Sequence, residues 1–418
     1  MYNNLAMTMK LNTLIKALIF SFLFITFSSC HNIFNNDDPE PVNEYLINYD
    51  TEKSYLPFVI ETFFDQMVQQ FPDMAAVREH VEYGITVYKI TYYTTFQGEP
   101  QVASGLVCVP LAEGPFPLMS YQNGTNTEHS NAPSENPDNQ LYLLLESMAS
   151  TGFVIAIPDY IGFGSSANTF HPYLHKESTV QTVVDMLRAV KELTQNYLDV
   201  SLTNDLYISG YSQGGWATMA VQKAIETEYS SEFNLKASAC GAGPYDLTYV
   251  NDYILTQETY PMPYFAGYMF NSFQNLGLVT TPVDSVFRDP YAEKIASLYD
   301  GSKSGEEINA ELNTNVAELF KANYIQNYLT DTTFTSLMEA MADNSVEAWE
   351  TNIPTRIYHG TADDFVPPQV STNIYDDFLD AGASSNNVTL FPLPGLDHRE
   401  GIVPTGLASI QWFLELTE

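Results

Sequence analysis

Basic residues are scarce in this chain of 418 residues. Lysine and arginine number 16 against 51 aspartates and glutamates, which gives a formal net charge of −35 at pH 7. Binding to nucleic acid, and electrostatic docking on an anionic membrane, both require a basic surface. We therefore expect no nucleic-acid partner, and contact with a membrane only through a covalent lipid anchor.

Cysteine is also rare. The three cysteines do not make a disulfide framework. Cys108 and Cys240 lie in apolar, strand-like segments, where buried and unreactive thiols are expected. No cysteines and histidines have the spacing of a metal site. The sequence therefore predicts neither a metal ion nor a cofactor.

The N-terminal apolar stretch is too short to span a bilayer. It covers the eleven residues 17–27, follows two lysines, and runs into Phe-Ser-Ser-Cys ending at Cys30. This pattern resembles a bacterial lipobox, which implies cleavage before Cys30 and acylation of Cys30. An ordinary signal peptide with an incidental cysteine is the alternative. We predict a lipoprotein signal peptide at 1–29, a flexible tether at 30–45, and a lipoprotein of the bacterial outer membrane, either periplasmic or surface-exposed.

Most of the remaining chain alternates between strand-like and helical segments, and 45% of all residues are hydrophobic. A helical segment is expected over 54–82 because its apolar residues recur at helical spacing. Residues 85–94 and 101–109 predict an antiparallel hairpin across a Gln-Gly-Glu-Pro turn. Further strands are predicted at 117–121, 153–157, 206–209, 235–241, 355–358 and 388–391. Such alternation is typical of a mostly parallel sheet flanked by helices.

The pattern changes between 246 and 350. This stretch is rich in tyrosine, phenylalanine and methionine, with helical periodicity and no clear strand. We therefore predict an α/β fold whose core is formed by 46–245 and 351–418, with 246–350 inserted as a helical cap.

A candidate nucleophile lies at the end of one predicted strand. Gly210-Tyr211-Ser212-Gln213-Gly214 has the pattern G-x-S-x-G, and an apolar strand precedes it while a helical segment follows. In this context the glycines allow a tight turn that exposes the serine. The helix N-terminus behind Ser212 offers backbone N–H groups to an oxyanion.

A serine needs a base and an acid to become a nucleophile. His359-Gly360-Thr361-Ala362-Asp363-Asp364-Phe365-Val366-Pro367 resembles the acid loop of the α/β-hydrolase superfamily, H-G-x-x-D-x-x-V-P. The resemblance places the acid at Asp363, with Asp364 as the alternative. In that superfamily the order is Ser, acid, His, and His398 follows the last predicted strand. We predict Ser212, Asp363 and His398 as catalytic residues, and a structural role for His359.

The resemblance also implies an oxyanion hole. One donor would be the N–H of Gln213, and the other would come from the loop after the third strand. That loop contains Tyr121-Gln122-Asn123-Gly124-Thr125, where many relatives have His-Gly. Asn123 and Thr125 both remain candidates for the second donor. His171 and His175 lie in a loop from which they could line a pocket, and neither is expected to catalyse.

Three motifs and the inserted cap resemble the secretory lipase family more narrowly. The motifs are Tyr-Gln-Asn-Gly-Thr, Pro-Asp-Tyr-Ile-Gly-Phe-Gly and Gly-Tyr-Ser-Gln-Gly-Gly. The resemblance implies a serine hydrolase that cleaves carboxylic esters, of lipids or of small molecules, with the cap forming an acyl pocket. The alternatives are a serine peptidase of the prolyl-peptidase type, an esterase acting on acylated polysaccharide, and a non-catalytic surface binding protein.

Overall fold

The computed structural model describes residues 42–417. The predicted signal peptide, Cys30 and most of the predicted tether lie outside the described residues. The strands are β1 (Leu46–Tyr55), β2 (Ile85–Phe96), β3 (Glu99–Pro110), β4 (Phe116–Gln122), β5 (Val154–Pro158), β6 (Leu202–Tyr211), β7 (Asn234–Gly241), β8 (Thr355–Gly360) and β9 (Val388–Leu393). The helices are α1 (Pro57–Gln70), α2 (Ala75–Arg78), α3 (Gln140–Met148), α4 (Lys176–Asn196), α5 (Gln213–Thr227), α6 (Leu247–Thr256), α7 (Tyr264–Asn275), α8 (Val283–Val286), α9 (Tyr291–Leu298), α10 (Gly305–Glu311), α11 (Val316–Leu319), α12 (Ala322–Asn327), α13 (Thr335–Asn344), α14 (Gln369–Asp380) and α15 (Ile402–Thr417).

The strands form one mixed sheet in the order β1-β2-β3-β5-β4-β6-β7-β8-β9. The pairings from β5 to β9 are parallel, and those from β1 to β5 are antiparallel. The predicted α/β class is therefore confirmed. The carboxyl ends of β6 and β8 lie at the same edge of the sheet, because both strands run parallel to β7 between them.

The predicted hairpin is also confirmed, although its turn is shorter than expected. Strands β2 and β3 reach Phe96 and Glu99, which pair with each other. Only Gln97 and Gly98 remain in the turn, with φ of 52° and 80°. Positive φ at both central residues gives the mirror-image turn whose twist matches that of the flanking strands.

Strand β1 was not predicted. It lies at the sheet edge, and of its ten residues only Leu46 is buried. An edge strand with so little buried surface lacks the alternation of apolar and polar residues that identifies a strand in sequence. The predicted helical segment accordingly begins after it, at Pro57.

Both faces of the sheet are covered. Successive residues of β6 illustrate this, since Tyr207 packs into one hydrophobic core and Ile208 into another. Helices α1, α2, α3 and α15 cover the first face, whereas α4 and α5 cover the second. Cys108 and Cys240 are buried as free thiols, as predicted.

Helices α6 to α13 lie between β7 and β8, which confirms the predicted helical insertion. Their apolar side chains form one core that also includes Trp216 of α5 and Ile357 of β8. Core and cap belong to one compact unit, Asn43–Glu418. Within the described part of the chain, each helix is too short or too polar to cross a membrane.

Candidate active site

Ser212 stands alone between the last residue of β6 and the first residue of α5. Its backbone has φ of 61° and ψ of −124°, a conformation that residues other than glycine rarely adopt. The flanking glycines permit this turn. A Cβ atom on Gly214 would collide with the carbonyl oxygen of Gln122, and one on Gly210 with the backbone of Gly214. The predicted strand–turn–helix around Ser212 is therefore present.

The structure brings Ser212, His398 and Asp363 together. The Nε2 atom of His398 lies 2.9 Å from Ser212 Oγ, and its Nδ1 atom lies 2.6 Å from Asp363 Oδ2. A carboxylate only accepts hydrogen bonds, so the ring proton of His398 is on Nδ1 and the Nε2 lone pair faces the serine hydroxyl. His398 and Asp363 are buried, whereas Ser212 is partly exposed. This arrangement can take the proton from Ser212.

The carboxylate of Asp363 is held from several sides. Its Oδ1 atom accepts the backbone N–H groups of Phe365 and Val366, each at 2.9 Å. Burial acts to raise the pKa of Asp363, but hydrogen bonds from His359 and His398 outweigh it and lower the pKa from 3.8 to about 2. The carboxylate therefore stabilises the fold above about pH 4, and that contribution is lost as the pH falls through 2.

His359 supports Asp363 in a way that the sequence did not indicate. Its Nε2 atom lies 3.1 Å from Asp363 Oδ2 and 3.0 Å from the carbonyl oxygen of Val366, while its Nδ1 atom lies 2.6 Å from Ser371 Oγ. Both partners of Nε2 only accept, so Nε2 carries the proton. The spacing H-G-x-x-D could have signalled this bond, because His359 is the last residue but one of β8 and the loop returns Asp363 beside it. Asp364, the alternative acid, is exposed.

Tyr211 was not singled out in the sequence either. Its hydroxyl donates to the carbonyl oxygen of His398 at 2.7 Å, and burial raises its pKa, so that it remains a donor. The tyrosine thereby ties the residue before the nucleophile to the loop that carries the base. The x in G-x-S-x-G gives no signal for such a contact.

The three residues predicted for an oxyanion hole lie on two segments. Gln213 begins α5, where the first N–H groups have no carbonyl partner within the helix. Asn123 and Thr125 lie directly after β4. The carbonyl oxygen of Asn123 accepts from Tyr160 Oη at 3.3 Å, and Thr125 Oγ1 lies 3.0 Å from Tyr173 Oη. Gly124 between them packs against the turn, since a Cβ atom there would lie 3.9 Å from Ser212 Cβ.

Ser212 and His398 open into a cleft of about 360 Å³ between the core and the cap. The segment after β4 contributes amide side chains to one wall, namely Asn126, Asn131 and Asn139. The cap and the acid loop contribute mainly apolar ones, Met262, Tyr264, Phe265 and Phe365. Across residues 42–417 no three His, Cys, Asp or Glu side chains are grouped so as to hold a metal ion.

Comparison with known proteins identifies the family. The family model described as secretory lipase matches residues 138–413. The comparison with curated proteins gave no match.

Solved structures are similar over nearly the whole chain. A Legionella pneumophila protein with a provisional hydrolase description is 26% identical, with a TM-score of 0.78 over 89% of this chain and 98% of its own. The rice cell wall degrading esterase LipA from Xanthomonas oryzae, in a ligand-bound form, is 26% identical, with a TM-score of 0.75 over 90% of this chain and 97% of its own.

Candida antarctica lipase A is more distant. It is 17% identical with a TM-score of 0.62, over 88% of this chain and 81% of its own, and this likeness concerns the fold alone. The α/β-hydrolase fold predicted from the acid loop is confirmed by these neighbours. Because the family model covers well over half of its length, the chain belongs to the secretory lipase family and is a carboxylic ester hydrolase.

Proposed function

We propose that the protein cleaves carboxylic esters through an acyl-enzyme intermediate on Ser212, with His398 as the base and Asp363 as the residue that orients it. One observation carries this proposal: the continuous hydrogen-bonded chain from Ser212 Oγ through the imidazole to Asp363 Oδ2, with links of 2.9 and 2.6 Å. That chain ends in an open cleft, where an ester can reach the hydroxyl.

The reaction follows from the proton positions. His398 Nε2 accepts the proton of Ser212 as Oγ bonds to the ester carbonyl carbon, and the imidazolium then donates that proton to the departing alcohol. A water molecule next loses its proton to Nε2 and attacks the acyl carbon. As the second tetrahedral intermediate collapses and the acid departs, Nε2 donates that proton to Ser212 Oγ, which restores the serine and the neutral imidazole. The negative charge of Asp363 stabilises the imidazolium in both steps.

The oxyanion of each tetrahedral intermediate needs donors that are already oriented. We assign the N–H of Gln213 and one backbone N–H of the segment from Asn123 to Thr125. Two observations support this assignment: Gln213 stands at the first position of α5, and Gly124 packs against the turn that carries Ser212.

The test is a series of p-nitrophenyl esters from acetate to palmitate, assayed beside aminoacyl p-nitroanilides. We expect the esters to be turned over faster than the anilides, with Ser212→Ala inactive on both. Ester turnover that survives in Ser212→Ala would contradict the mechanism. Faster turnover of the anilides would favour a serine peptidase, and no turnover of any substrate would favour a binding protein.

An esterase for acylated polysaccharide is the second candidate. The amides of Asn126, Asn131 and Asn139 line one side of the cleft and already bond within the protein. An amide has two N–H groups and two lone pairs, so each can still bond to a sugar hydroxyl, while the apolar side chains suit an acyl chain. The name of the similar Xanthomonas oryzae esterase, which degrades rice cell wall, agrees with this candidate. Release of acetate from acetylated xylan at a rate comparable to that from p-nitrophenyl acetate would support it, whereas no release would exclude it.

We also propose that the enzyme is exported and anchored in the outer membrane through a lipid on Cys30. A tether would lead from Cys30 to the compact unit, which begins at Asn43 rather than at 46, because the backbone N–H groups of Glu44 and Tyr45 already donate to Glu192. The residues before Cys30 support this, and the family name agrees with secretion. We expect the protein to be labelled by radioactive palmitate in a Gram-negative host, and Cys30→Ala to lose the label. Labelling that persists in Cys30→Ala would contradict the anchor.

A further inference from the structure

His171 is a buried histidine that the proposed reaction does not use. It lies in the loop between β5 and α4, is 6% exposed, and contacts the residue that follows the nucleophile. Its Nδ1 atom is 2.7 Å from the carbonyl oxygen of Ile161, and its Nε2 atom is 3.1 Å from the side-chain Nε2 of Gln213. The histidine thus joins the loop after β5 to the start of α5.

The partners determine the tautomer of His171. The carbonyl oxygen of Ile161 only accepts, so Nδ1 carries the proton and Nε2 presents a lone pair. The amide nitrogen of Gln213 only donates, and it therefore donates to that lone pair. Burial lowers the pKa of His171 from 6.5 to about 4, so the ring is neutral and the acceptor is present at neutral pH.

Aromatic rings surround the imidazole. Tyr160, Phe163, Tyr173 and Tyr268 have ring centroids between 4.8 and 6.1 Å from that of His171. Burial raises the pKa of each of the three tyrosines, so they remain uncharged. His129 and Asp300 line the same small cavity as His171. Because these rings pack against the imidazole and its Nδ1 atom is bonded to Ile161, the direction of its Nε2 lone pair is fixed.

Gln213 depends on this bond. The residue is only 1% exposed, and its Oε1 atom has no hydrogen-bond partner among residues 42–417. Among the described residues, His171 is the only hydrogen-bond partner of this side chain. The backbone nitrogen and the side chain of Gln213 are both bonded to its Cα atom. An anchored side chain therefore restricts rotation of the peptide that links Ser212 to Gln213.

The same cluster also reaches the other segment of the proposed oxyanion hole. Tyr160 lies against His171 with an interplanar angle of 20°, and its hydroxyl donates to the carbonyl oxygen of Asn123. The side-chain amide of Asn123 donates to the carbonyl oxygen of Pro158, at the end of β5. From one loop, His171 thus bonds to Gln213 and Tyr160 bonds to Asn123, in the two segments proposed to form the oxyanion hole.

We propose that His171 is a positioning residue for the oxyanion hole, whose Nε2 atom accepts the side chain of Gln213 and thereby orients the Gln213 backbone N–H toward the developing oxyanion. This inference rests on the proposed acyl-enzyme reaction at Ser212. An oriented donor acts on the tetrahedral transition state more than on the bound ester, because negative charge develops only as the carbonyl is attacked.

Two substitutions separate the two bonds of His171. In His171→Asn the amide nitrogen can replace Nδ1 and donate to Ile161, but no atom reaches Gln213. In His171→Gln the amide oxygen can occupy the place of Nε2 and accept from Gln213. We expect His171→Asn to lower kcat for p-nitrophenyl butyrate about 10-fold with KM changed less than about twofold, since loss of an entire oxyanion donor costs about 10²–10³. His171→Gln should recover kcat to within about threefold of the wild type.

His175→Asn is the matched control. His175 lies in the same loop and caps α4 by accepting from the N–H of Ser178, a role that asparagine also fills. Its kcat should equal that of the wild type. Equal losses in His171→Asn and His171→Gln, or a loss confined to KM or to thermal stability, would overturn the inference.

Gln213→Leu breaks the bond from the other end and carries the test if His171→Asn does not fold. We expect it to lower kcat about as much as His171→Asn, and the double variant to lose no more than either alone, since both remove one interaction. Binding of a phenylboronic acid, whose oxygen occupies the oxyanion site, should weaken in parallel with kcat. Independent, multiplicative losses would overturn the inference.

These results distinguish this inference from the proposed function. Ester turnover by Ser212→Ala would defeat the proposed function. An inactive Ser212→Ala together with normal kcat in both His171→Asn and Gln213→Leu would defeat the positioning role alone.

Discussion

Ser212→Ala and His398→Ala are each expected to lower kcat for p-nitrophenyl butyrate by about 10⁵–10⁶-fold. Removing the hydroxyl removes the nucleophile, and removing the imidazole leaves a serine whose proton has no acceptor within reach. Both losses abolish the same step. The double variant should therefore be no slower than either single variant, and the remaining rate should reflect the oxyanion hole and binding.

The measurement is kcat at pH 8 from initial rates, with titration of active sites by a fluorophosphonate to exclude traces of wild-type enzyme. Ser231→Ala, at an exposed position after α5, is the matched control and should keep full activity. An acyl-enzyme should accumulate as a burst of p-nitrophenol in the wild type only. A fall of less than about 100-fold in Ser212→Ala would show that another group attacks the ester.

The fold could be predicted from the sequence, and Ser212 and Asp363 could be proposed as site residues, because their signals are local. Ser212 is marked by a turn between a strand and a helix, and the acid by a loop pattern that ends β8. His398 has no local pattern, and only its place after the last strand distinguishes it from six other histidines. These three side chains now lie within hydrogen-bond distance of one another.

Other features could not be predicted because they depend on tertiary contacts. Strand β1 is held by its pairing with β2 rather than by an apolar pattern of its own. His171 and Gln213 are 42 residues apart, and neither residue type indicates the bond that joins them. His359 was expected to be structural, but its bond to Asp363 was not predicted, although the spacing H-G-x-x-D offered a signal for it. Contacts between loops leave no periodicity in a sequence.

Asp363→Asn is expected to lower kcat about 10⁴-fold, nearly as far as loss of the base. The backbone N–H groups of Phe365 and Val366 both donate to Oδ1, so the oxygen of an asparagine must stay at that position. The new NH₂ group then takes the place of Oδ2, where it meets Nδ1 of His398. Since NH₂ only donates, His398 must move its proton to Nε2, and Nε2 can no longer accept from Ser212.

Asp364→Asn provides the control, because it makes the same change in charge and shape at the adjacent, exposed residue. Its kcat should stay within about twofold of the wild type, as expected for a surface carboxylate without a bond to the base. Nitrogen chemical shifts of His398 should show a proton on Nδ1 in the wild type and in Asp364→Asn, and on Nε2 in Asp363→Asn. If Asp364→Asn instead caused the larger loss, the acid would be Asp364. If Asp363→Asn kept the Nδ1 proton and still lost activity, the role of Asp363 would be to stabilise the imidazolium by charge rather than to select its tautomer.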